Sequence, residues 1–237
     1  MKIVVLIENT APEGSCLAAE HGLSFYVEHR GKAVLLDAGA SGGFADNAAA
    51  LGVDLGHVDV AVLSHGHYDH AGGLGRFFAC NDHAKVYARP SAGGAYFSTS
   101  LGEPRFIGVS RDVWEGQRER FETPEGLFQL FDGAWLVPET VHGGPFASRE
   151  TNLLRQEAAG GFVPDDFSHE HSPGAGGQPG PGAVQLLLPR GESSTSSRGG
   201  EGTAGQTGIR CVRRIAPVQR QGGQRDELHP GVCAVGG

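Results

Sequence analysis

The chain has 237 residues, 39% of them hydrophobic and 8% aromatic, and a formal net charge of −8. That length builds one sizeable core or two small ones, and the acidic balance argues against a general role on nucleic acid or a membrane surface. No apolar run reaches the roughly 18 residues that a bilayer span needs.

The opening KIVVLI (2–7) predicts a strand rather than a signal peptide, because the apolar run meets Glu8 at once. LSFYVEH (23–29) alternates and is rich in β-formers, and AVLLDAG (33–39) ends an apolar run in Asp and Gly. Together they predict a hairpin turning at Arg30-Gly31-Lys32. SGGFADNAAALG (41–52) predicts a helix with Phe44, Ala48 and Leu51 on one face and Gly52 as its stop. VDVAVLS (58–64) predicts a buried strand that delivers the chain to His65, and KVYARP (85–90) a further short strand. LFQLF (127–131) and AWLVPET (134–140) predict a second hairpin turned at Asp132-Gly133. Strands alternate with helices, which is the pattern of an α/β fold. The four cysteines, Cys16, Cys80, Cys211 and Cys233, show no CxxC spacing, so a reducing cytoplasm is the expected location. Neither Cys16 nor Cys80 has an adjacent base, and a thiol nucleophile is not expected.

The stretch SHGHYDHAGGL (64–74) places three histidines and an aspartate within six positions. Imidazole and carboxylate are the ligands that suit zinc, iron and manganese. His65 and His67 are two apart, so extended backbone points them to one side. Asp69 and His70 follow after a turn and can serve a second position, about 3.5–4 Å from the first. A solvated polar loop is the ordinary reading of one histidine, but not of four potential ligands directly after a buried strand. Tyr68 is expected to pack or line the pocket rather than ligate.

HxHxDH after an apolar strand resembles the signature of the metallo-β-lactamase fold hydrolases. VLIENT, AEHGLSFYVE, VLLDAG, NAAALGVDL and VLSHGHYDHAGGL together resemble the subgroup of that fold that includes the dihydropterin–ribofuranosylaminobenzene phosphate synthases. The resemblance spans residues 1 to about 172. It implies an αββα sandwich with a dinuclear centre at one sheet edge. His65 and His67 would bind the first metal, and Asp69 and His70 the second. Asp37 would brace the metal loop by hydrogen bonding. The cofactors implied are two divalent metal ions, zinc ahead of iron or manganese. A bridging hydroxide would attack a carbonyl or phosphoryl centre, with Asp69 as the catalytic residue that orients it. The substrate implied is a small molecule bearing phosphate or pyrophosphate, in the pterin class, with neither nucleic acid nor membrane as partner.

The resemblance also implies two further histidines, in an SCSHxG-like and a GGxHL-like segment of the C-terminal half. Neither is present. The composition changes instead. Residues 1–172 carry all 12 Phe, 2 Trp and 4 Tyr and every lysine, with 12 basic and 23 acidic side chains. Residues 173–237 carry no aromatic residue and no lysine; 16 glycines, 7 arginines and 6 glutamines in 65 residues make a poor core. SPGAGGQPGPGAVQLLLPRG (172–191) can be encoded by codons that, read one base on after Ser172, give L-V-L-E-D-S-P-G-L-V-L-F-N-S-C-S-H-G-G. RRIAPVQR (213–220) shifted likewise gives G-G-S-H-L-F-K, and GGEGTAGQTGIRC (199–211) gives E-A-K-E-R-L-G-R-R-V-Y-G-A. Three matches in one shifted frame and in family order point to a one-nucleotide frameshift near Ser172. ESSTSSRGG (192–200) fits the other shifted frame better. The expected organisation is therefore an incomplete metallo-β-lactamase-like domain over 1–172 and a disordered, out-of-frame tail over 173–237. Such a domain is expected to expose the inner face of its first sheet.

Other polar residues take weaker expectations. His142, in a Gly-rich turn, and His169, in SHEHS, are pocket candidates, although SHEHS reads first as a solvated loop. Asp165 and Asp166 follow Pro164 and read as a turn or helix cap. His21 has no ligand company in the sequence, and Arg89 is one of several arginines suited to an anionic group. Two alternatives stand beside the hydrolase: an inactive frameshifted product with an incomplete metal site, and a di-iron redox protein of the same fold.

Overall fold

The structure is a computed structural model, and it describes residues 1–138, 152–175 and the strand residues 184–185. In chain order the strands and helices begin with β1 (Lys2–Ile7), β2 (Ser24–His29), β3 (Lys32–Leu36), α1 (Gly43–Ala50) and β4 (Val60–Val62). There follow α2 (Tyr68–Ala71), α3 (Leu74–Cys80), β5 (Lys85–Tyr87), β6 (Tyr96–Ser98), β7 (Arg105–Phe106), α4 (Arg111–Trp114) and β8 (Phe121–Glu122). The last are β9 (Phe128–Phe131), β10 (Ala134–Pro138), β11 (Leu153–Gln156), β12 (Phe162–Pro164), β13 (His171–Ala175) and β14 (Val184–Gln185).

The first sheet has the order β1-β2-β3-β4-β5-β8. Its β1-β2-β3 portion is antiparallel, and β3, β4, β5 and β8 run parallel. The β2–β3 turn forms where the sequence predicts it: Arg30 and Gly31 both take positive φ, 50° and 76°. Two successive left-handed residues give the tight hairpin whose twist matches its strands. A second sheet, β14-β13-β10-β9, contains the predicted hairpin at 128–138. A third, β12-β11-β6-β7, lies beside the metal loop, and Tyr68 N–H donates to the Ile107 carbonyl.

Alternation along the strands divides the core in two. Leu35, Ala61, Leu63 and Val86 face α1 and α3, where Phe44, Ala48, Leu74 and Phe77 are buried against them. Val27, Val34, Leu36 and Val62 face the other way and pack on Leu136, Phe128, Leu130 and Phe131. Helix, sheet and sheet are thus stacked as in the expected sandwich. The expectation of an exposed inner face is corrected here. Leu36 and Val62 are each only 1% exposed, because the β9–β10 hairpin lies before residue 172 and supplies the covering layer.

β13 crosses the composition break at 172/173. It pairs along its whole length with β10, from Pro138↔His171 to Ala134↔Ala175, and with β14 through Gly174↔Gln185 and Ala175↔Val184. The expected disordered tail beyond these residues lies outside the described residues, as does His142.

Leu136 is the second sheet's fully buried contribution to this interface. Leu136→Ala is expected to lower unfolding free energy by about 2–5 kcal/mol, read from urea denaturation. An effect below about 0.5 kcal/mol would show that the second sheet does not cover the first in solution.

Candidate metal centre

The site lies at the carboxyl ends of β3, β4 and β5, where the backbone leaves the sheet. Asp37 follows β3 in the left-handed region, φ 58°, an uncommon conformation for a residue with a Cβ. Its backbone is held by donation from Asp37 N–H to the Val62 carbonyl and from Ser24 Oγ to the Asp37 carbonyl, 2.9 and 2.7 Å. Its buried carboxylate then receives Ser64 N–H (2.7 Å), Ser64 Oγ–H (2.8 Å) and His70 Nδ1–H (2.7 Å). Asp37 thus ties the end of β3 to Ser64 and His70 by hydrogen bonds.

This network sets the tautomers. Ser64 Oγ donates to Asp37, so it accepts from His65 Nδ1 at 3.0 Å. With protons on Nδ1 of both His65 and His70, Nε2 is the lone-pair nitrogen of each neutral ring. His70 Nε2 lies 3.6 Å from Asp69 Oδ2. Burial disfavours the charged His70 ring, but the Asp37 carboxylate outweighs burial and its pKa rises.

Glycine lets the loop fold this tightly. A Cβ on Gly66 would lie 2.1 Å from the Ala92 carbonyl oxygen, and one on Gly73 2.1 Å from that of Ala38. Only a residue without a Cβ allows the backbones to approach this closely.

The donors form two buried groups, and in each the ligand atoms lie within 4.8 Å of one another: His65, Asp69 and His70, and His67, Asp165 and His169. The resemblance paired His65 with His67. Here their rings meet edge-on, centroids 4.8 Å apart, and each belongs to a different group. His67 Nε2 lies 2.9 Å from Asp165 Oδ2, and His169 Nε2 lies 3.2 Å from both Asp165 oxygens. Burial alone would raise the Asp165 carboxyl. The hydrogen bonds from His169 and His67 outweigh burial and hold the carboxylate well below its usual range.

Several expectations change at this point. SHEHS is no solvated loop: His169 is fully buried, and its Nδ1 accepts from Gly66 N–H at 2.8 Å. Asp165 is buried among imidazoles, beyond the turn role it was given, although it also accepts from Phe167 N–H at 2.9 Å. His21, which looked isolated, puts Nε2 3.5 Å from Asp69 Oδ2. Tyr68 is 42% exposed. The one usable signal for Asp165 and His169 was their spacing of four residues in PDDFSHEH, downstream of a histidine-rich loop that lacked partners.

Residues 18–190 match the family described as the metallo-beta-lactamase superfamily. The chain belongs to that superfamily. Among solved structures it is similar to Tm1679, a metal-dependent hydrolase of the beta-lactamase superfamily, with 26% identity and a TM-score of 0.58 over 73% of this chain and 60% of that one. Two Methanocaldococcus jannaschii proteins are also similar. One is uncharacterized, 34% identical over 48% of this chain and 42% of its own length. The other is 7,8-dihydropterin-6-methyl-4-(beta-D-ribofuranosyl)-aminobenzene-5'-phosphate synthase, 32% identical over 45% of this chain and 37% of its own length. The matches thus span about two fifths of these curated relatives.

The donor chemistry fits divalent metal. The group of His65, Asp69 and His70 combines two imidazoles with one carboxylate, the mixed N/O set that zinc and its neighbours accept. Asp37 and Ser64 already hold the outward nitrogens of His70 and His65, as partners behind a metal's ligands do.

Two predictions follow from this geometry. Asp37→Asn is expected to weaken metal binding about 10–100-fold in equilibrium dialysis, and unchanged affinity would remove Asp37 from the site. The second concerns His171, whose Nε2 donates to the Leu63 carbonyl at 2.8 Å. Burial, with help from Arg89, pushes its pKa down to about 4. The unfolded chain binds this proton below about 6.5 and the folded chain does not, so stability is level above that pH and falls between about 6.5 and 4. His169 is shifted the same way and His70 the opposite way. In EDTA, His171→Gln is therefore expected to flatten the acid slope of the urea midpoint, by up to roughly 3 kcal/mol. An unaltered slope would count against a neutral buried His171.

Proposed function

We propose that this protein is a metal-dependent hydrolase of small phosphate- or pyrophosphate-bearing molecules. The observation that carries the reading is the convergence of four histidines and two aspartates into two adjoining buried donor groups at one sheet edge. Isolated buried charge is costly, and a concentration of this kind is characteristic of a functional site. Two divalent ions, zinc first, would be held by His65, Asp69 and His70 and by His67 with its neighbours. Bound there, such ions polarise a carbonyl or phosphoryl oxygen and lower the pKa of water. Asp69 lies beside the half-exposed His21 and is the residue assigned to orient the attacking water. Asp37 and Ser64 keep the imidazole tautomers that leave Nε2 as donor. The similarity to the pterin-type synthase supports a phosphate-bearing substrate. A reducing, cytoplasmic location belongs to the same reading, and the exposed free thiols of Cys16 and Cys80 support it.

The reading also includes a one-nucleotide frameshift near Ser172, which would restore both missing histidine segments. Sequencing the gene across codons 165–225 tests this. A spurious base restores the full histidine set, whereas a genuine base leaves the present chain as the product.

The catalytic reading is tested by assaying purified protein on phosphate esters, phosphodiesters and lactones with and without EDTA. Metal-dependent turnover is expected on the phosphate-bearing compounds. His67→Ala should lose that activity together with bound metal. An active His67→Ala protein that still carries two ions per chain would overturn the assignment.

A further inference from the structure

The crevice beyond the carboxyl ends of β3, β4 and β5 also holds a cation that the metal centre does not use. Arg89 leaves β5 in extended backbone, φ −69° and ψ 148°. Alternation along this strand puts Val86 and Ala88 among the residues packed with the helices, and Tyr87 among those packed with the second sheet. Arg89, two positions after Tyr87, therefore turns to the side of the second sheet. There its charge acts on the His171 ring, which hydrogen-bonds the Leu63 carbonyl two residues before His65.

The guanidinium is buried without a partner. Nε and Nη1 are both shut off from solvent, and neither finds an acceptor among the described residues. Arg155, the other arginine with a buried free N–H, has Asp166 at 3.6 Å; Arg89 has no such carboxylate among the described residues. The buried carboxylates of the crevice are committed elsewhere, Asp37 to Ser64 and His70 and Asp165 to His67, His169 and the Phe167 amide. The chain has 27 acidic residues, yet this cation stays unpaired among the described ones. A guanidinium does not lose its charge in a protein and carries five N–H donors, so it cannot escape the cost by neutralising. As a residue Arg89 is half-buried and still meets solvent.

An oxyanion matches this situation. Two phosphate oxygens accept two N–H groups of one guanidinium at once, and the opposite charge offsets the desolvation. Water would fill the same donors and leave the charge uncompensated.

We propose that Arg89 is an anion-binding residue that holds the phosphate or pyrophosphate group of the substrate on the second-sheet side of the crevice. The proposal rests on the hydrolase reading for calling that anion the substrate's. The binding itself needs no metal and none of the histidine and aspartate donors.

The experiment uses the full chain in excess EDTA, titrated in a calorimeter with inorganic phosphate and with pyrophosphate, against sodium chloride at matched ionic strength. Wild type is expected to bind both anions. Arg89→Met should weaken them about 10–100-fold, the scale of charge-assisted hydrogen bonds, and Arg89→Lys by less, because it keeps the charge and loses the fork. Phosphate should also raise the urea midpoint of wild type and leave that of Arg89→Met in place. In the metal-loaded protein, Arg89→Met should raise KM for a phosphate ester by a similar factor, and an unchanged KM would overturn the assignment to substrate. Wild-type phosphate affinity in Arg89→Met, or a wild type that binds neither anion, would overturn the proposal and leave metal-dependent turnover untouched. Arg89-dependent phosphate binding in a chain without metal-dependent turnover would overturn the hydrolase reading, and with it the assignment to substrate, and uphold the anion site. Should Arg89→Met fail to fold by circular dichroism, wild-type protein labelled with ¹⁵N-arginine decides the matter. Phosphate must then shift the Arg89 Nε resonance, and an unshifted Arg89 overturns the proposal.

Discussion

The carboxylate of Asp37 is the point on which the metal loop depends. It receives the Ser64 amide, the Ser64 hydroxyl and the His70 ring, and so joins the end of β3 to both ends of the ligand-bearing turn. Buried carboxylates need such donors, because desolvation without them costs several kcal/mol. The left-handed backbone at Asp37 aims the side chain across the strand end, and strain of this kind is of order 1–3 kcal/mol. The backbone bonds through Val62 and Ser24 hold that conformation in place.

The parallel arrangement of β3, β4 and β5 explains why so many donors meet. Parallel strands end on the same side, and the crevice beyond their carboxyl ends is where open α/β sheets place ligands. Asp37 leaves β3 there, Ser64 and His65 leave β4, and the backbone of Ala92 follows β5 against Gly66. The second sheet adds β13, whose amide at His171 donates to the Ser64 carbonyl at 2.9 Å. That bond ties residues 165–171 to the metal loop and carries His169 to Gly66. Helices α1 and α3 contribute from the far face, through Phe44 and Phe77, whereas the short α2 itself carries Asp69 and His70.

Local signals were legible where local physics decides. Arg30-Gly31 turned a hairpin because two left-handed residues were available there, and the 43–50 helix formed where Phe44 and Ala48 share a face. The ligand density of residues 65–70 announced metal chemistry, whereas the part of Asp37 was implied by the family resemblance alone. Burial of the first sheet's inner face was not read correctly, since it depends on where a hairpin nearly one hundred residues later packs. Nor was the place of SHEHS. Its polar composition suits a solvated loop, and only the pairing of β13 with β10 draws it under the metal loop.

The sequence by itself determined the strands at 2–7, 24–36, 60–62, 85–87 and 128–138, the helix at 43–50 and the ligand-dense turn at 65–70. Each of these rests on periodicity, turn chemistry or ligand spacing within a few residues. Only the tertiary structure decided how the donors are shared. His67 lies against Asp165 and His169, 98 and 102 positions away along the chain, because strand pairing between sheets brings those segments together. No local pattern encodes a contact of that separation; it exists once the sheets have packed.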